Sequence, residues 1–270
     1  MEKEKQIDEF RKYLNEEERS RNTIDNYIQS VKDYFSRYEE LNKQNMIQYK
    51  QKLFEEGKKP KTVHNRCVGI NQFCRFLGKQ DLCIKSVKIH QSSTVENVIS
   101  LEEFNQLLRC LKEDKDEKGY WMVKFLGKTG ARVSEFTRLT KKGLETGYCE
   151  MWTKGKIRRI YIPKTLIEES RQYFGTIKGD VLFPSRYGSE MTSRGVASRL
   201  NQMAKKYGIR KEVMHPHSFR HLYAIEFLKR NPNIALLADL MGHSSVNTTS
   251  IYLKLSKEEQ MKQFNKASDW

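Results

Sequence analysis

Apolar residues recur at three- and four-residue steps through the first 90 residues, a spacing that places them on one face of a helix. The clearest run consists of Ile24, Tyr27, Ile28, Val31, Tyr34 and Phe35. Ser20 or Asn22 is placed to cap this helix, because a side-chain oxygen there can accept a hydrogen bond from the first turn. Two further helices are predicted over residues 42–56 and from about Lys61 to Gly78. The pattern therefore predicts a small helical domain around an apolar core.

A polar stretch without helical periodicity follows this region. Residues 84–98 are rich in Lys, Gln, Ser and Thr, as expected of a linker. Ser100, with Glu103 three residues later, then forms the capping-box signature of a new helix. We therefore predict a helical domain over residues 1–88, a linker over residues 89–99 and a second domain over residues 100–270.

The second domain contains one clear β signal. The runs 148–153 and 157–162 flank Lys154-Gly155-Lys156 and stop at Pro163, a pattern typical of a tight hairpin with glycine in its turn. The remaining periodic segments predict helices near residues 101–111, 119–126, 164–173, 193–207, 218–229, 234–241, 248–253 and 256–266. The predicted fold class is mainly α with a small β-hairpin.

Charge changes the picture by indicating a polyanionic partner. The chain has 50 Lys and Arg against 34 Asp and Glu, a formal net charge of +16. Such an excess favours nucleic acid, because basic side chains neutralise phosphates and release counterions. The candidate phosphate contacts in the first domain lie at predicted helix starts and turns, and they are Arg19, Arg21, Lys58, Lys59, Lys61 and Arg66.

The predicted hairpin is also basic at its tip. Its basic residues are Lys154, Lys156, Arg158 and Arg159, of which the last three are candidate DNA contacts. The same residues have an alternative interpretation as a solvated strand edge that discourages sheet aggregation. The local pattern alone leaves both open.

Other features limit the compartment and the cofactors. The five cysteines are irregularly spaced without a C-x-x-C pair, which argues against a disulfide framework or a cysteine zinc site and suits a reducing cytosol. Neither a signal peptide nor a run of about 20 apolar residues is evident, so we expect a cytoplasmic protein without membrane association. Gly127-Lys128-Thr129 is not a phosphate loop, because Met122 stands where that motif requires glycine.

Three histidines lie within seven residues and raise the possibility of a metal site. His215, His217 and His221 have Arg220 among them and no nearby Asp, Glu or Cys to complete a coordination shell. A histidine three residues before an arginine instead puts both on one helix face. Such a pair suits phosphate chemistry, since one side chain can transfer a proton while the other binds the anion. We therefore expect no metal.

Four segments together resemble the tyrosine recombinase (phage integrase) family. They are Thr129-Gly130-Ala131-Arg132-Val133-Ser134-Glu135, Lys154-Gly155-Lys156, Pro216-His217-Ser218-Phe219-Arg220-His221 and Gly242-His243 followed nine residues later by Tyr252. Their order and spacing resemble the family's boxes over nearly the whole chain, as in compact Xer-type and mobile-element members. The resemblance implies a helical core-binding (SAM-like) domain and a mixed α/β catalytic domain, which close on DNA as a C-shaped clamp.

The resemblance also implies a role for each matching residue. Tyr252 would be the nucleophile that forms a 3′-phosphotyrosyl bond, with Arg132 and Arg220 holding the phosphate oxygens. His217 would be the general acid/base, and His243 would hydrogen-bond the phosphate. Glu135 would order the neighbouring Arg and His side chains, and Lys154 would protonate the leaving 5′-oxygen. Because Thr153 replaces the first glycine of the usual hairpin motif, Lys156 remains an alternative to Lys154.

The implied function is site-specific recombination or integration of double-stranded DNA. It needs neither metal nor ATP, because the phosphotyrosine conserves the bond energy. A homotetramer would synapse two sites and exchange strands through a Holliday junction, starting from free monomers or dimers. The apolar residues of the tail over residues 253–264 would pack on a neighbouring protomer or would cover the chain's own core. Two alternatives remain open: a catalytically silent DNA-binding protein on the same scaffold, and a type IB topoisomerase.

Overall fold

The computed structural model describes residues 2–88, 97–153, 156–243 and 245–253, together with the single residues 265 and 268. Within these ranges the side chains of residues 153, 156, 247 and 253 are not described. The contacts divide the chain into two compact units, residues 1–91 and residues 92–270.

The first unit is helical. Its helices are α1 (Glu2–Glu16), α2 (Arg21–Phe35), α3 (Lys43–Glu55) and α4 (Pro60–Phe76), followed by a 3-10 turn at Gln80–Leu82. Ser20 caps α2 by accepting from the Thr23 amide. The third predicted helix begins slightly earlier than expected, at Pro60, because proline suits the first turn of a helix, where no amide donor is needed.

The core of the first unit depends on a close approach between α2 and α4. A Cβ at Gly69 would lie 2.7 Å from Ser30, so only glycine lets the two helices pack at this distance. Phe10, Tyr34, Tyr49 and Phe73 are completely buried in this core. The apolar stripes therefore perform the packing that their spacing predicts.

The segment after α4 belongs to this first unit and is not free linker at its start. The side chain of Asn71 donates to the Ile84 carbonyl (2.8 Å) and accepts from the Ile84 amide (3.0 Å). His64 Nδ1 lies 2.8 Å from the Val87 carbonyl oxygen. These contacts hold residues 84–87 on the first unit, within the predicted first domain of residues 1–88.

The second unit contains eight α-helices and one hairpin among its described residues. In chain order they are α5 (Leu101–Glu113), α6 (Glu117–Thr129), α7 (Val133–Phe136), α8 (Lys141–Thr146), β1 (Tyr148–Thr153), β2 (Lys156–Tyr161), α9 (Lys164–Thr176), α10 (Ser193–Tyr207), α11 (Pro216–Arg230) and α12 (Ile234–Met241). Two 3-10 turns follow at Val246–Thr248 and Ser250–Leu253, where the pattern predicted an α-helix. The Ser100–Glu103 capping box is confirmed, with both reciprocal hydrogen bonds present.

The hairpin pairs β1 with β2 in antiparallel register, with Trp152 opposite Ile157 and Met151 opposite Arg158. Met151 and Ile160 face the core, whereas Trp152 and Ile157 face solvent. The prediction of a mainly helical fold with one small hairpin is confirmed. The predicted helix over residues 256–266 lies outside the described residues, apart from residue 265.

Among the described helices, none combines the length and the apolar character that a bilayer crossing requires. All five cysteines are free thiols, and Cys67, Cys74 and Cys149 are buried.

Candidate active site

The Arg132 segment is positioned by the end of α6. Gly130 has φ +61°, a left-handed conformation that ends the helix and turns the chain into α7. The Arg132 amide then donates to Glu135 Oε2 (2.7 Å), and its Nη1 donates to Oε1 (2.9 Å). The spacing of three residues between Arg132 and Glu135 thus creates a local carboxylate–guanidinium pair.

Glu135 is completely buried and is held by a second arginine. Arg158 Nη1 lies 2.5 and 2.6 Å from the two carboxylate oxygens. Burial by itself raises the pKa of Glu135, but the charges of Arg158 and Arg132 outweigh it and hold this pKa below its ordinary value. The carboxylate is therefore ionised at neutral pH and links β2 to the Arg132 loop.

Three arginines converge on the last carbonyl groups of α12. Arg158 Nη2 donates to the Leu240 carbonyl (2.7 Å), Arg220 Nη2 to the Met241 carbonyl (2.5 Å) and Arg132 Nη2 to the Gly242 carbonyl (2.7 Å). The carbonyls at a helix C-terminus lack intrahelical partners and carry the negative end of the helix dipole, so they suit cationic donors. This helix end brings together guanidiniums from three distant parts of the sequence.

Arg220 is the most enclosed of the three, with a residue exposure of 4%. Its Nη1 donates to the Gly130 carbonyl (2.5 Å), and its Nη2 lies 3.1 Å from His243 Nε2. Burial, followed by the nearby charges of Arg158 and Arg132, lowers the pKa of Arg220 to about 10. The group remains cationic at neutral pH, so it contributes a positive charge of fixed orientation.

His243 follows Gly242, which has φ +60° and ends α12. Because Arg220 has only donors, His243 Nε2 must accept its hydrogen bond. Nδ1 then carries the proton and donates to Thr249 Oγ1 at 2.8 Å. Burial and the three arginines, Arg220 first, lower the pKa of His243 to about 4, so the imidazole is neutral at pH 7.

Tyr252 lies in the 3-10 turn Ser250–Leu253 and packs against a small apolar cluster containing Ala224, Leu237 and Met241. Its hydroxyl is 2.6 Å from His221 Nδ1. Burial raises the pKa of the phenol to about 12, although the positive charge of Arg220 partly opposes this rise. The tyrosine is therefore protonated in the protein without DNA.

The other histidines of this segment have different environments. His217 lies in the first turn of α11 and is exposed, with its ring centroid 6.1 Å from that of His221. His215 caps α11 by accepting from the Ser218 amide at 3.2 Å. Within the described ranges, no group of three or more His, Cys, Asp or Glu side chains is arranged to hold a metal ion.

The basic hairpin residues are separated by the two faces of the sheet. Arg159 points outward, 3.0 Å from Glu150 and with its guanidinium 5.0 Å from the Tyr148 ring centroid. Arg158 points inward, and its side chain is only 9% exposed. The expectation that Arg158 contacts DNA stays a prediction, whereas in this structure its guanidinium binds Glu135 and the Leu240 carbonyl. Lys154 lies outside the described residues, as does the side chain of Lys156.

The candidate phosphate contacts of the first unit are all at least partly accessible. Arg19, Arg21, Lys58, Lys59 and Lys61 are exposed, and Arg66 is half-buried. Arg19 precedes the start of α2, and Lys58 and Lys59 precede α4. The structure places them around the beginnings of these two helices, where unpaired amide groups also favour anions.

Sequence reasoning missed three contributors to the site. They are the hydrogen bonds of Arg158 to Glu135 and Leu240, the Thr249 hydroxyl, and the contact of His221 with Tyr252. One available signal was strand alternation, since Arg158 shares a face with Met151 and Ile160, which are apolar. For His221 the signal was its position four residues after His217 on one helix face. Thr249 had no comparable signal, because its partner depends on how the chain folds after Gly242.

Comparison with known proteins agrees with this arrangement. Residues 97–259 match the model of the phage integrase family, and residues 7–81 match the phage integrase N-terminal SAM-like domain. The chain is 27% identical over 271 residues to tyrosine recombinase XerA of Thermococcus onnurineus, covering 97% of this chain and 94% of the relative. It is 25% identical over 255 residues to tyrosine recombinase XerD of Oceanobacillus iheyensis, covering 87% and 85%.

Solved structures share the fold. The integrase of transposon Tn1549 in complex with transposon right end DNA matches with a TM-score of 0.75 at 16% identity, over 97% of this chain and 99% of that one. A lambda integrase dimer bound to a core site matches with a TM-score of 0.73 at 16% identity, over 93% and 77%. The chain belongs to the phage integrase family. It is a tyrosine recombinase, an enzyme of site-specific recombination that cleaves and rejoins DNA.

Proposed function

We propose that Tyr252 is the nucleophile of this recombinase and that the cluster at the end of α12 binds the scissile phosphate. One observation carries the proposal: Arg132, Arg220 and His243 come from three separate segments and meet at this helix end. Tyr252 packs against the same helix end through the apolar cluster that contains Met241. The cluster at the end of α12 carries a net positive charge, because it contains the buried Glu135 carboxylate and three guanidiniums, those of Arg132, Arg158 and Arg220. Such a field stabilises a phosphorane without a metal ion.

The roles follow from the geometry of each group. Arg132, whose side chain is 36% exposed, contacts the non-bridging oxygens. Arg220 is buried and contributes its positive charge from the protein interior. Neutral His243 donates no proton from Nε2 in the free protein, so it engages phosphate only when the Arg220 contact rearranges. Glu135 orients Arg132 and Arg158 in place of the Arg and His pair expected from the sequence. His217, which is exposed in the first turn of α11, acts as an acid/base group. Lys154, or Lys156, protonates the leaving 5′-oxygen.

The wider reaction is conservative strand exchange on double-stranded DNA. Attack by Tyr252 gives a 3′-phosphotyrosyl bond and a free 5′-hydroxyl, which then attacks the partner duplex to build a Holliday junction. We propose that four protomers synapse two sites, that free protein is monomeric or dimeric, and that the reaction takes place in the cytoplasm. The exposed basic residues of the first unit would contact phosphates and position the duplex.

The test is covalent trapping on nicked duplexes taken from the ends of the element, or from the locus, that encodes the protein. Wild type should give an SDS-resistant adduct on the 3′ side of the break, and EDTA should not change it. Tyr252→Phe should give none while retaining DNA binding. Tyr223→Phe is the matched control, because Tyr223 borders the same apolar cluster. Specific binding by wild type without any adduct would contradict the proposed role of Tyr252 as nucleophile.

A further inference from the structure

His221 is in hydrogen-bond contact with the proposed nucleophile, yet the roles assigned above do not use it. Its Nδ1 lies 2.6 Å from the Tyr252 hydroxyl, and the two ring centroids are 5.5 Å apart. His217, by contrast, is exposed at the start of α11. An acid/base group must reach the proton that it transfers, at about 2.6–3.2 Å or through one water. His221 meets this condition directly in the free protein.

Both partners are neutral before DNA binds. Burial, followed by the nearby charges of His217, His215 and Arg220, lowers the pKa of His221 to about 4. The pKa of Tyr252 is raised to about 12. A proton therefore stays on the phenol in the free protein, and a phenolate does not accumulate. In the free protein the contact therefore joins a neutral imidazole to a neutral phenol.

We propose that His221, in its Nε2–H tautomer, accepts the proton of the Tyr252 hydroxyl as the phenolic oxygen bonds to phosphorus. This inference rests on the proposed role of Tyr252 as nucleophile. The Oη–P bond forms while the bond from phosphorus to the 5′-oxygen breaks. The hydroxyl proton moves to Nδ1, and the departing 5′-oxygen takes a proton from the lysine of the hairpin. On rejoining, His221 returns its proton to the phenolic oxygen, so the enzyme is restored without any co-reactant.

The bound substrate favours this transfer for an electrostatic reason. The groups that disfavour a charged His221 are cationic or can become so: Arg220, His217 and His215. A phosphodiester anion beside Arg220 offsets that positive field and makes the imidazolium less costly. The phenolic oxygen also becomes less basic as it bonds to phosphorus. Proton transfer from this oxygen to His221 therefore becomes favourable only as the new bond forms. The device couples activation of the nucleophile to the presence of DNA.

The test uses a nicked duplex with a 5′-bridging phosphorothiolate at the cleavage site. A thiolate leaves without a proton donor, so the rate of adduct formation reports attack by Tyr252. His221→Gln keeps a hydrogen-bond acceptor but cannot accept a proton. We expect this variant to slow adduct formation about 10²–10⁴-fold at pH 7. Its rate should rise with pH as hydroxide replaces the missing base, whereas wild type stays flat above pH 7. Added imidazole should partly rescue His221→Ala.

Two controls separate the outcomes. His64→Gln makes the same exchange in the first unit and should leave the rate unchanged. Thermal unfolding and DNA binding of each variant show whether His221 is also needed for folding. If His221→Gln forms adduct at nearly the wild-type rate and only His221→Ala is slow at every pH, His221 positions the tyrosine and is not its proton acceptor. If wild type itself forms no adduct on DNA that it binds specifically, the result contradicts the proposed role of Tyr252 and not the role of His221 alone.

A second measurement applies to the protein without DNA. Nitrogen-15 NMR of histidine-labelled protein should show His221 neutral at pH 7, with Nδ1 unprotonated and shifted by Tyr252→Phe. An Nδ1 that carries the proton would make the tyrosine the acceptor and would overturn the assignment.

Discussion

Glu135 and Arg158 form a buried ion pair in which one guanidinium nitrogen lies 2.5 and 2.6 Å from both carboxylate oxygens. The pair joins the hairpin strand β2 to the loop that carries Arg132. Since Arg158 also binds the Leu240 carbonyl at 2.7 Å, it connects the same strand to the end of α12. The side chains that we propose to bind phosphate are therefore held by a buried network, and this network can be tested residue by residue.

Glu135→Ala should lower the free energy of unfolding by about 3–5 kcal/mol, because it leaves Arg158 buried without its counter-ion. Adduct formation should fall further than stability alone explains, since Arg132 loses its orientation. Chemical denaturation and the trapping assay measure the two effects. Glu150→Ala is the matched control: its pair with Arg159 is about half exposed on each side, so its loss should cost at most about 1 kcal/mol. Equal losses in both variants would contradict a structural role for Glu135.

Arg158→Ala and Arg159→Ala should affect different properties, namely the stability of the fold for Arg158 and the binding of DNA for Arg159. Removing Arg158 leaves the Glu135 carboxylate buried with one arginine, so stability should fall by about 3–5 kcal/mol. Removing Arg159 should leave stability within about 1 kcal/mol. If Arg159 contacts phosphate, its loss should reduce the salt slope of DNA binding by about 1. Denaturation and salt titrations of binding measure these quantities. A reduced salt slope for Arg158→Ala in folded protein would restore that residue to the DNA surface.

Gly242→Ala should disturb the site because of space as well as backbone conformation. An added Cβ would lie 2.4 Å from Arg158 Cδ, and φ at this residue is +60°. Gly208 has φ +64° with nothing within 4 Å of an added Cβ, so Gly208→Ala reports the conformational cost alone. We expect that cost to be about 1 kcal/mol and the Gly242 variant to lose clearly more. It should also lose adduct formation, because His243 follows directly. Equal stability of the two variants would argue against tight packing over Arg158.

Lys154→Ala and Lys156→Ala should distinguish the general acid at the hairpin tip. The variant that lacks the proton donor should slow cleavage of an ordinary phosphodiester about 10²–10⁴-fold. It should recover on the 5′-thio substrate, whose leaving group needs no proton. The other variant should lose only phosphate affinity and show no selective recovery. Recovery of Lys156→Ala alone would move the assignment from Lys154 to Lys156.

Acid should destabilise the catalytic domain through two neutral histidines. The pKa values of His221 and His243 are both lowered to about 4, whereas an unfolded histidine titrates near about 6.5. Between these values the unfolded chain binds more protons than the folded chain, so the free energy of unfolding falls as pH drops from about 6.5 to about 4. Denaturation at several pH values should show this loss, and His221→Gln should reduce it. A wild-type profile that is flat across this window would mean that these histidines are not buried neutral.

Much of the architecture is readable from local patterns, for physical reasons. The stripe from Ile24 to Phe35 predicts α2, and Ser100 with Glu103 predicts the start of α5, because helix periodicity and capping depend on residues only a few positions apart. The hairpin is readable because Gly155 interrupts two strand-like runs. Helix bounds such as Pro60 shift slightly, since packing and proline geometry decide the first turn. The site motifs are visible because Arg132 and Glu135, or His217 and Arg220, are near neighbours in the chain.

The sequence by itself determined the helical class, the hairpin, the basic character and the family, because each depends on composition, short-range spacing or the order of motifs. Tertiary structure alone decided which arginines meet at the carbonyls of Leu240, Met241 and Gly242, because these contacts span up to 110 residues. It also decided that Arg158 serves Glu135 and that His221 meets Tyr252. Such pairings depend on how helix ends and strand faces are brought together in space, which no local pattern encodes.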